Sequence, residues 1–276
     1  MTDQRARAER FAALHARAGL FVIPNPWDAG SARLLAGLGF EALATTSAGL
    51  AYSLGKPDGQ GALDRDETLA NAQAIVVATP LPVAADLENG FGDEPDACAA
   101  TIRMAGEAGL VGGSIEDATG RAADPIYAFD AAVARVRAAV AAARALPFPF
   151  MLCARAENLI NGRPDLDDTI RRLVAFAEVG ADVLYAPGLR TIESIRAVVA
   201  AVAPRPVNVV MGLGGATFST AMLADAGVKR VSLGSSLSRA AWTGFLAAAR
   251  EVADKGTFDF ARDAIAYRDL NGLFER

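Results

Sequence analysis

Short apolar runs alternate with longer amphipathic stretches along the whole chain of 276 residues. The runs are rich in small and β-branched residues and are typical of buried parallel strands. They cover residues 20–25, 40–49, 80–90, 110–117, 148–158, 181–188, 205–212 and 229–236. The stretches between them predict helices at 64–78, 93–109, 127–146, 165–180 and 191–203. The pattern therefore predicts strand–helix units that repeat along the chain.

Eight such units favour an α/β fold, a closed (β/α)₈ TIM-type barrel. Three helix–strand joints share a glycine that ends the helix: EAGLVGGSIED, EVGADVLYAPG and DAGVKRVSLGS. A doubly wound open sheet would need a glycine-rich phosphate turn after the first strand, whereas NPWDAGSA holds a single glycine. We expect one barrel domain over residues 1–276, in which 237–276 form a C-terminal helical extension that packs on a neighbouring subunit.

The composition, with 52% hydrophobic and 21% charged residues, is that of a globular protein large enough for one sizeable core. A net charge of −5 gives no footprint for nucleic acid or an anionic membrane. Two cysteines cannot form a disulfide framework. The N-terminus lacks the apolar segment of a signal peptide, and no window is long enough to span a bilayer. We expect a soluble cytoplasmic protein without nucleic-acid or membrane partners.

Carboxylates end the third and fourth strand runs. Asp86 and Glu88 lie in VAADLENGFGDE, and Glu116 lies in SIED. Burying a carboxylate is costly unless it is paired, and the carboxyl ends of barrel strands form the functional face. Strand alternation predicts that Asp86 and Glu88 point the same way. Oxygen ligands without a nearby His or Cys fit Mg²⁺ or Mn²⁺, because the sole histidine, His15, belongs to the first helix.

These acids have a second interpretation. Acids at strand ends also cap the following helix or pair with arginine, as we expect of Asp93 and Glu94. Arg155, in CARAEN at the end of the fifth run, could be such a partner. Beside a metal, however, its guanidinium is also suited to holding a substrate carboxylate bidentately.

The order and spacing of several blocks resemble the isocitrate lyase/phosphoenolpyruvate mutase superfamily over almost the whole chain. The blocks include IPNPWDAGSARLL, PVAADLENGFGD, GGSIEDATG, CARAENLI, GADVLYAPG, PVNVVMGLGG and AGVKRVSLGSSL. The resemblance implies a (β/α)₈ barrel that forms a homotetramer, a dimer of helix-swapped dimers. It also implies a Mg²⁺-dependent reaction on a small 2-oxo or 2-hydroxy carboxylic acid through a metal-stabilised enolate.

The resemblance assigns four acids to the metal. Asp86 matches the aspartate that binds the ion directly. Asp58 in KPDG, Glu88 and Glu116 match acids that bind it through water. Glu116 and Asp58 are also assigned to catalysis, together with Arg155.

The resemblance also implies a substrate site, made of Trp27, Ser47, Ala48, Gly49, Asp86, Arg155 and Asn208. Residues 47–49 match a segment whose backbone and hydroxyl hold the substrate carboxylate, and Arg155 matches the substrate-binding arginine. Trp27 matches an aromatic wall and Asn208 a substrate-contacting asparagine. Each of the last two has a structural alternative, a packing aromatic and a strand-end hydrogen bonder respectively.

The loop after the fourth strand departs from the superfamily pattern. The carbon–carbon lyases carry a Lys-Lys/Arg-Cys-Gly-His run there, whereas EDATGRAADPIYAFD has no Cys, Lys or His. Cys98 and Cys153 are predicted on a helix and in the fifth strand, as core residues. The sequence thus favours chemistry that needs no positioned proton donor, such as decarboxylation of an oxaloacetate-type acid. Gly120 is a candidate hinge for the loop, with Arg121 next to it.

Two alternatives stay open. One is a carbon–carbon lyase on a 2-methylisocitrate- or malate-like acid, in which Glu157 or a tyrosine such as Tyr52 or Tyr185 is the acid/base. The other is a non-catalytic, Mg²⁺-dependent binder of 2-oxo acids. A Schiff-base aldolase is disfavoured, because no lysine lies in the middle of an apolar strand.

Overall fold

The computed structural model describes residues 2–59, 61–212, 214 and 217–275. Its strands are β1 Phe21–Ile23, β2 Leu43–Ala44, β3 Val83–Asp86, β4 Gly112–Glu116, β5 Met151–Arg155, β6 Val183–Tyr185, β7 Val207–Val210 and β8 Arg230–Ser232. They form one parallel sheet in the order β1-β8-β7-β6-β5-β4-β3-β2. The amide of Ala44 donates to the carbonyl of Pro24 (3.1 Å), which joins the ends of β1 and β2. The predicted (β/α)₈ barrel is confirmed.

The helices follow the strands around the ring. They are α1 Thr2–Ala16, α2 Ala29–Gly37, α3 Ser47–Ser53, α4 Arg65–Ala78, α5 Pro95–Glu107, α6 Phe129–Ala145, α7 Leu166–Glu178, α8 Ile192–Val202, α9 Thr220–Asp225, α10 Ser236–Lys255 and α11 Tyr267–Phe274, with a 3₁₀ turn at Asp259–Arg262. The five predicted helices match α4 to α8 to within two residues at each end. Local chemistry sets these limits: Asp64, for example, forms a capping box with Glu67 at the start of α4.

The predicted strand over residues 40–49 is wrong in its second half. The strand β2 contains only Leu43 and Ala44, and α3 begins at Ser47. The hydroxyl of Thr46 accepts a hydrogen bond from the amide of Gly49 (3.3 Å), which starts the helix. A short run of small apolar residues does not by itself distinguish a strand from a buried helical turn.

The N-terminal helix α1 closes the floor of the barrel. Phe11 is fully buried and meets the ring of His15 edge-on at 4.7 Å. His15 meets Phe21 of β1 in the same way at 5.0 Å. A Cβ atom on Gly112 of β4 would lie 2.8 Å from the Phe11 ring, so the glycine lets the ring reach the strand. The barrel is therefore closed at the end opposite the strand carboxyl termini.

The C-terminal helices leave a large apolar surface uncovered. Their exposed apolar residues include Trp242, Phe245, Leu246, Val252, Phe258, Ile265, Tyr267, Leu270 and Leu273. Helix α11 returns to α2, where Arg33 donates to the carbonyl of Phe274 (2.6 Å). In the described part of the chain, no helix is long and apolar enough to cross a membrane.

We expect Phe11→Ala to lower the free energy of unfolding by about 3–5 kcal/mol, because it empties the closed floor of the barrel. Phe11→Leu should cost less, since it leaves a smaller cavity. Urea unfolding followed by circular dichroism measures both. Leu38→Ala is the control, because Leu38 is 75% exposed and its loss should change stability by less than about 0.5 kcal/mol. An equal effect of Phe11→Ala and Leu38→Ala would show that α1 does not pack into the floor.

Candidate active site

Three strand ends bring acids to one guanidinium. Arg155 at the end of β5 pairs through Nη1 with Asp86 of β3 (2.9 Å) and through Nη2 with Glu116 of β4 (3.0 Å). Its Nε bonds Glu157, two residues further on (2.8 Å). Because Glu116 lies directly opposite Arg155 in the β4–β5 pairing, the sheet register itself sets one of these contacts. Arg155 is therefore the cation around which the acids gather.

Asp86 lies where this cluster meets α3. Its Oδ2 accepts a hydrogen bond from the hydroxyl of Ser47 (3.2 Å), and its amide donates to Thr45 (3.0 Å). The hydroxyl of Ser114 on β4 is 3.5 Å from Oδ1. Asp86 thus has hydrogen-bond donors on two sides.

Glu88 lies in a turn beyond the end of β3, so the alternation of side chains along the strand does not set its direction. The strand β3 ends at Asp86, and Glu88 has a φ of +46°, in the left-handed region that few non-glycine residues adopt. Its carbonyl accepts a hydrogen bond from the amide of Glu116 (2.9 Å), which holds the turn against β4. The local strain at Glu88 is thus offset by the sheet and directs another carboxylate to the mouth.

The acids raise one another's pKa values. Burial, followed by the charges of Asp86 and Asp58, raises the pKa of Glu88 to about 7. Burial and then Asp86 raise the pKa of Asp58. Burial also raises the pKa of Glu116 well above its ordinary value, against the opposing charge of Arg155. One arginine is therefore not enough positive charge for this cluster, and the site favours a proton or a further cation.

The donor set fits a hydrated hard cation better than a fully chelated one. Among the described residues, no three His, Cys, Asp or Glu side chains are grouped closely enough to hold one ion directly. One direct carboxylate with the other acids acting through water is the arrangement that the resemblance implies. Mg²⁺ retains several waters and binds few protein carboxylates, so Asp86 with Asp58, Glu88 and Glu116 around it is compatible with such an ion.

Two cavities meet at the acids. The outer cavity, of about 1080 Å³, is lined by Asp58, Glu88, Glu116 and Glu157 and by residues 118–122 of the loop after β4. The inner cavity, of about 220 Å³, lies inside the barrel and is lined by residues that include Ala48, Asp86, Cys153, Tyr185, Asn208 and Arg230. Ser47, Asp58 and Arg155 line both. A small acid held at this boundary would contact the predicted metal ligands and Arg155 together.

The structure divides the predicted substrate residues. Ser47, Ala48 and Asn208 line the inner cavity, whereas Trp27 and Gly49 line neither cavity. A Cβ atom on Gly49 of α3 would lie 2.8 Å from the Cβ of Trp27, so Trp27 packs closely against α3 at this glycine. The amide of Asn208 donates to Ser232 (3.0 Å) and accepts from Arg230 (2.8 Å). The substrate roles of all five stay predictions.

A buried acid behind the site escaped the sequence analysis. Asp117 is 3% exposed and accepts hydrogen bonds from the amide of Glu157 (2.8 Å) and from Arg172 of α7 (3.0 Å). Its own amide donates to the carbonyl of Arg155 (3.2 Å). Asp117 thus positions β5 against β4. Its position directly after Glu116 in IED was the only signal for it in the sequence.

The loop after β4 is folded back on itself. Ala118 and Ile126 form an antiparallel bridge, and Arg121 pairs with Asp93 (2.7 Å). The pairing of Asp93 with an arginine is as expected. Asp93 also accepts a hydrogen bond from the hydroxyl of Tyr127 (2.6 Å). Glu94 stands at the N-cap of α5 but makes no side-chain capping bond. The role of Gly120 as a hinge stays a prediction.

Both cysteines are buried away from this loop. Cys98 lies on α5, and Cys153 lies in β5, as predicted. Burial raises the pKa of each thiol above its ordinary value. Neither thiol therefore has the environment of a reactive thiolate.

The sequence profile of the phosphoenolpyruvate phosphomutase family matches residues 11–253. The chain belongs to that family. A solved structure from Burkholderia cenocepacia, itself only provisionally assigned as a lyase/mutase, is 60% identical, with a TM-score of 0.97, and the match covers 100% of this chain and 98% of that one. Oxaloacetate acetylhydrolase in complex with the product oxalate is 28% identical, with a TM-score of 0.87, over 97% of this chain and 93% of that one.

A third family relative is 2,3-dimethylmalate lyase. The enzyme of Eubacterium barkeri is 33% identical over 176 residues, which are 60% of this chain and 58% of the enzyme. A solved structure of 2,3-dimethylmalate lyase, a phosphoenolpyruvate mutase/isocitrate lyase superfamily member, has a TM-score of 0.87 and covers 97% of this chain and 94% of that one. The superfamily that the sequence resembles is thereby confirmed.

We expect Glu88→Gln to stabilise the metal-free protein at pH 8 and to leave its stability nearly unchanged at pH 5. In the folded protein Glu88 keeps its proton up to about pH 7, whereas in the unfolded chain it ionises near its ordinary pKa of 4.5. Between these values the folded state binds more protons, so the contribution of Glu88 to the free energy of unfolding falls as pH rises. Glutamine does not ionise, so the variant should have a free energy of unfolding about 1–2 kcal/mol higher than the wild type at pH 8.

Urea unfolding in chelator at the two pH values measures this effect. Glu41→Gln is the matched control, because Arg17 lowers the pKa of the exposed Glu41, so its loss should slightly destabilise at pH 8. Destabilisation by Glu88→Gln at pH 8 would show that Glu88 is not held among like charges.

Proposed function

We propose that the protein is a Mg²⁺-dependent lyase of a small 2-oxo acid, with decarboxylation of an oxaloacetate-type acid as its reaction. The observation that carries this proposal is the boundary between the two cavities. There, Asp86 lies hydrogen-bonded between Ser47 and Arg155, and the other candidate metal acids surround it. No histidine or lysine is among the residues that line either cavity in the described chain.

The family relatives support the substrate class. One is named for oxaloacetate and another for 2,3-dimethylmalate, and both names describe small dicarboxylic acids. The polar boundary between the cavities offers a guanidinium and a hydroxyl to such a molecule. We therefore assign the same class of substrate to this chain.

The chain's own residues would first hold the acid. Arg155 and the hydroxyl of Ser47 can both donate hydrogen bonds to a carboxylate at the boundary. Asp86, with Asp58, Glu88 and Glu116 around it, would hold Mg²⁺, which would supply Lewis-acid polarisation of the 2-oxo group.

The same residues would then stabilise the product side of the reaction. Arg155 is fixed by three carboxylates, which take one hydrogen bond from each of its nitrogens. Two of its five N–H donors remain for the negative charge of an enolate. Burial raises the pKa of the Tyr185 hydroxyl, which therefore stays protonated beside Arg155. Water can supply the proton that completes the reaction.

A carbon–carbon lyase is the second candidate, and Glu157 favours it. Glu157 is 2% exposed, lines the outer cavity and accepts a hydrogen bond from Arg155. Burial raises its pKa above the ordinary value, which suits a carboxyl group that gives and takes a proton. This candidate would cleave a 2-methylisocitrate- or malate-like acid into two fragments.

We expect the purified protein to convert oxaloacetate to pyruvate with Mg²⁺, and Asp86→Asn to lower the rate at least a hundredfold. The variant removes the charge that would hold the ion while keeping the size of the side chain and one of its two acceptor oxygens. An NMR time course over a pool of 2-oxo and 2-hydroxy di- and tricarboxylates measures the products, with the metal-only rate subtracted. Asp66→Asn, which changes an acid on the outer rim of the larger cavity, is the matched control and should keep most of the activity.

Two outcomes would contradict the decarboxylase. A pair of fragment products that disappears in Glu157→Gln would establish the carbon–carbon lyase. Mg²⁺-dependent broadening of one acid's signals without turnover would instead indicate a non-catalytic binder of 2-oxo acids.

The proposal includes a homo-oligomer, a dimer of helix-swapped dimers, in which residues 237–276 pack on a neighbouring subunit. Its basis is the apolar surface of α10 and α11, where Phe245 is 59% exposed. A second copy of the chain offers the same surface and would cover it.

We expect Phe245→Asp to convert the oligomer to smaller species, because it places a charge at the centre of this surface. Size-exclusion chromatography with light scattering measures the mass. Leu38→Asp, at a more exposed apolar position outside residues 237–276, should leave the mass unchanged. A monomeric wild-type protein would contradict this part of the proposal.

A further inference from the structure

Arg230 is a buried arginine that pairs with no acid among the described residues. It opens β8, lies opposite Asn208 and Phe21 in the sheet and is 7% exposed. Its Nε donates to Asn208 (2.8 Å), and its Nη1 lies 3.4 Å from Nε2 of His15. In the described part of the chain no carboxylate forms an ion pair with it, whereas Arg155 has three such partners.

The neighbours of Arg230 cannot supply the missing negative charge. Asn208 is neutral, and burial together with the charge of Arg230 lowers the pKa of His15 to about 3, so the imidazole is neutral as well. The thiol of Cys153 also contacts Arg230, but burial raises its pKa, so it stays protonated. A buried charge without a counter-ion is costly, so its presence calls for a function or for a bound anion. The guanidinium of Arg230 is therefore a positive charge without a partner inside the barrel.

This charge faces the inner cavity. Arg230 lines the cavity together with the hydroxyl-bearing residues Thr45, Ser47, Ser232 and Ser235. Small residues such as Ala44, Ala84 and Cys153 form other parts of the wall and leave its volume of about 220 Å³ open. A carboxylate would find both charge and hydrogen-bond donors there.

A second source of positive potential borders the same cavity. Gly234 and Ser235 line it and lead into α10, a helix of 20 residues. The Ser235 side chain makes no capping hydrogen bond to the first amides of the helix, although the amide of Ser236 already donates to the carbonyl of Leu233 (3.2 Å). The positive end of the helix dipole therefore adds to the charge of Arg230.

We infer that Arg230 binds a carboxylate of the substrate inside the barrel, and that this is the carboxylate retained by the product. The inference rests on the proposed function for the identity of the molecule, but the anion site itself rests on Arg230 and its cavity. The substrate would enter the barrel with this carboxylate first. The bond that breaks would then lie near Asp86 and the outer cavity. Arg230 would contribute to binding equally before and during the reaction, so its loss should raise KM more than it lowers kcat.

The test compares pyruvate with pyruvamide, which lacks the carboxylate, by calorimetry on the full-length protein with Mg²⁺. Arg230→Met should raise the Kd of pyruvate roughly ten- to a hundredfold, as expected for the loss of a charge-assisted hydrogen bond. Arg230→Lys should raise it less, and neither variant should change binding of pyruvamide. The exposed Arg17→Met is the control and should bind pyruvate like the wild type.

Asn208→Asp gives a second test that does not remove Arg230. It places a carboxylate where the amide oxygen now lies, 2.8 Å from the guanidinium. We expect it to weaken pyruvate binding at least tenfold and to raise the Tm of the ligand-free protein, because it supplies the missing counter-ion. A residue with only a structural role would not give these two opposite effects.

Each outcome decides the inference. Pyruvate affinities that stay unchanged in Arg230→Met, or in Asn208→Asp if the first variant does not fold, would overturn it, as would a wild type that binds no pyruvate. A different result would be that chloride or phosphate raises the Tm of the wild type and not of Arg230→Met, with pyruvate failing to compete with the inorganic anion. That result would show an inorganic anion site and overturn the substrate role. Arg230-dependent pyruvate binding without oxaloacetate turnover would support the inference and contradict the proposed function alone.

Discussion

The mouth of this barrel depends on one constraint, the repulsion among carboxylates that converge from separate strands and loops. Arg155 offsets part of it by pairing with Asp86, Glu116 and Glu157. Burial and then the neighbouring acids still raise the pKa values of Glu88 and Glu116 despite Arg155, so the offset is incomplete. A fold that keeps such a group of acids at the end of its strands is organised around a positive charge that the chain does not fully provide. The metal chemistry that we propose follows from that shortage.

Much of the fold could be predicted because it rests on local patterns. Apolar runs at regular intervals predict a parallel sheet. Capping residues such as Asp64 mark the helix ends, which the sequence predicts to within two residues. The failures have local causes too. The run at 40–49 changes to helix at a cap made by Thr46, and Glu88 leaves the strand by a left-handed turn. Neither feature has a distinct hydrophobic period.

The site shows the limit of reasoning along the chain. Asp86, Glu88, Glu116 and Arg155 could be found because each ends a predicted strand. Arg230 could not be found in this way, because what sets it apart is that its described partners, Asn208 and His15, are not acids. Pairings between strands that are far apart in sequence decide which buried charges are neutralised, and a single sequence does not show these pairings.

The plug of α1 has a consequence for the order of events. With Phe11 and His15 filling the floor, the route from the inner cavity that the described residues leave open is through the mouth, past Asp86 and Arg155. A compartment with one opening empties in the reverse of the order in which it fills. In the reaction that we propose, the fragment formed nearer the mouth would therefore depart first and the retained acid last. The products would then leave in a fixed sequence, and the last one would compete with the next substrate molecule for the empty barrel.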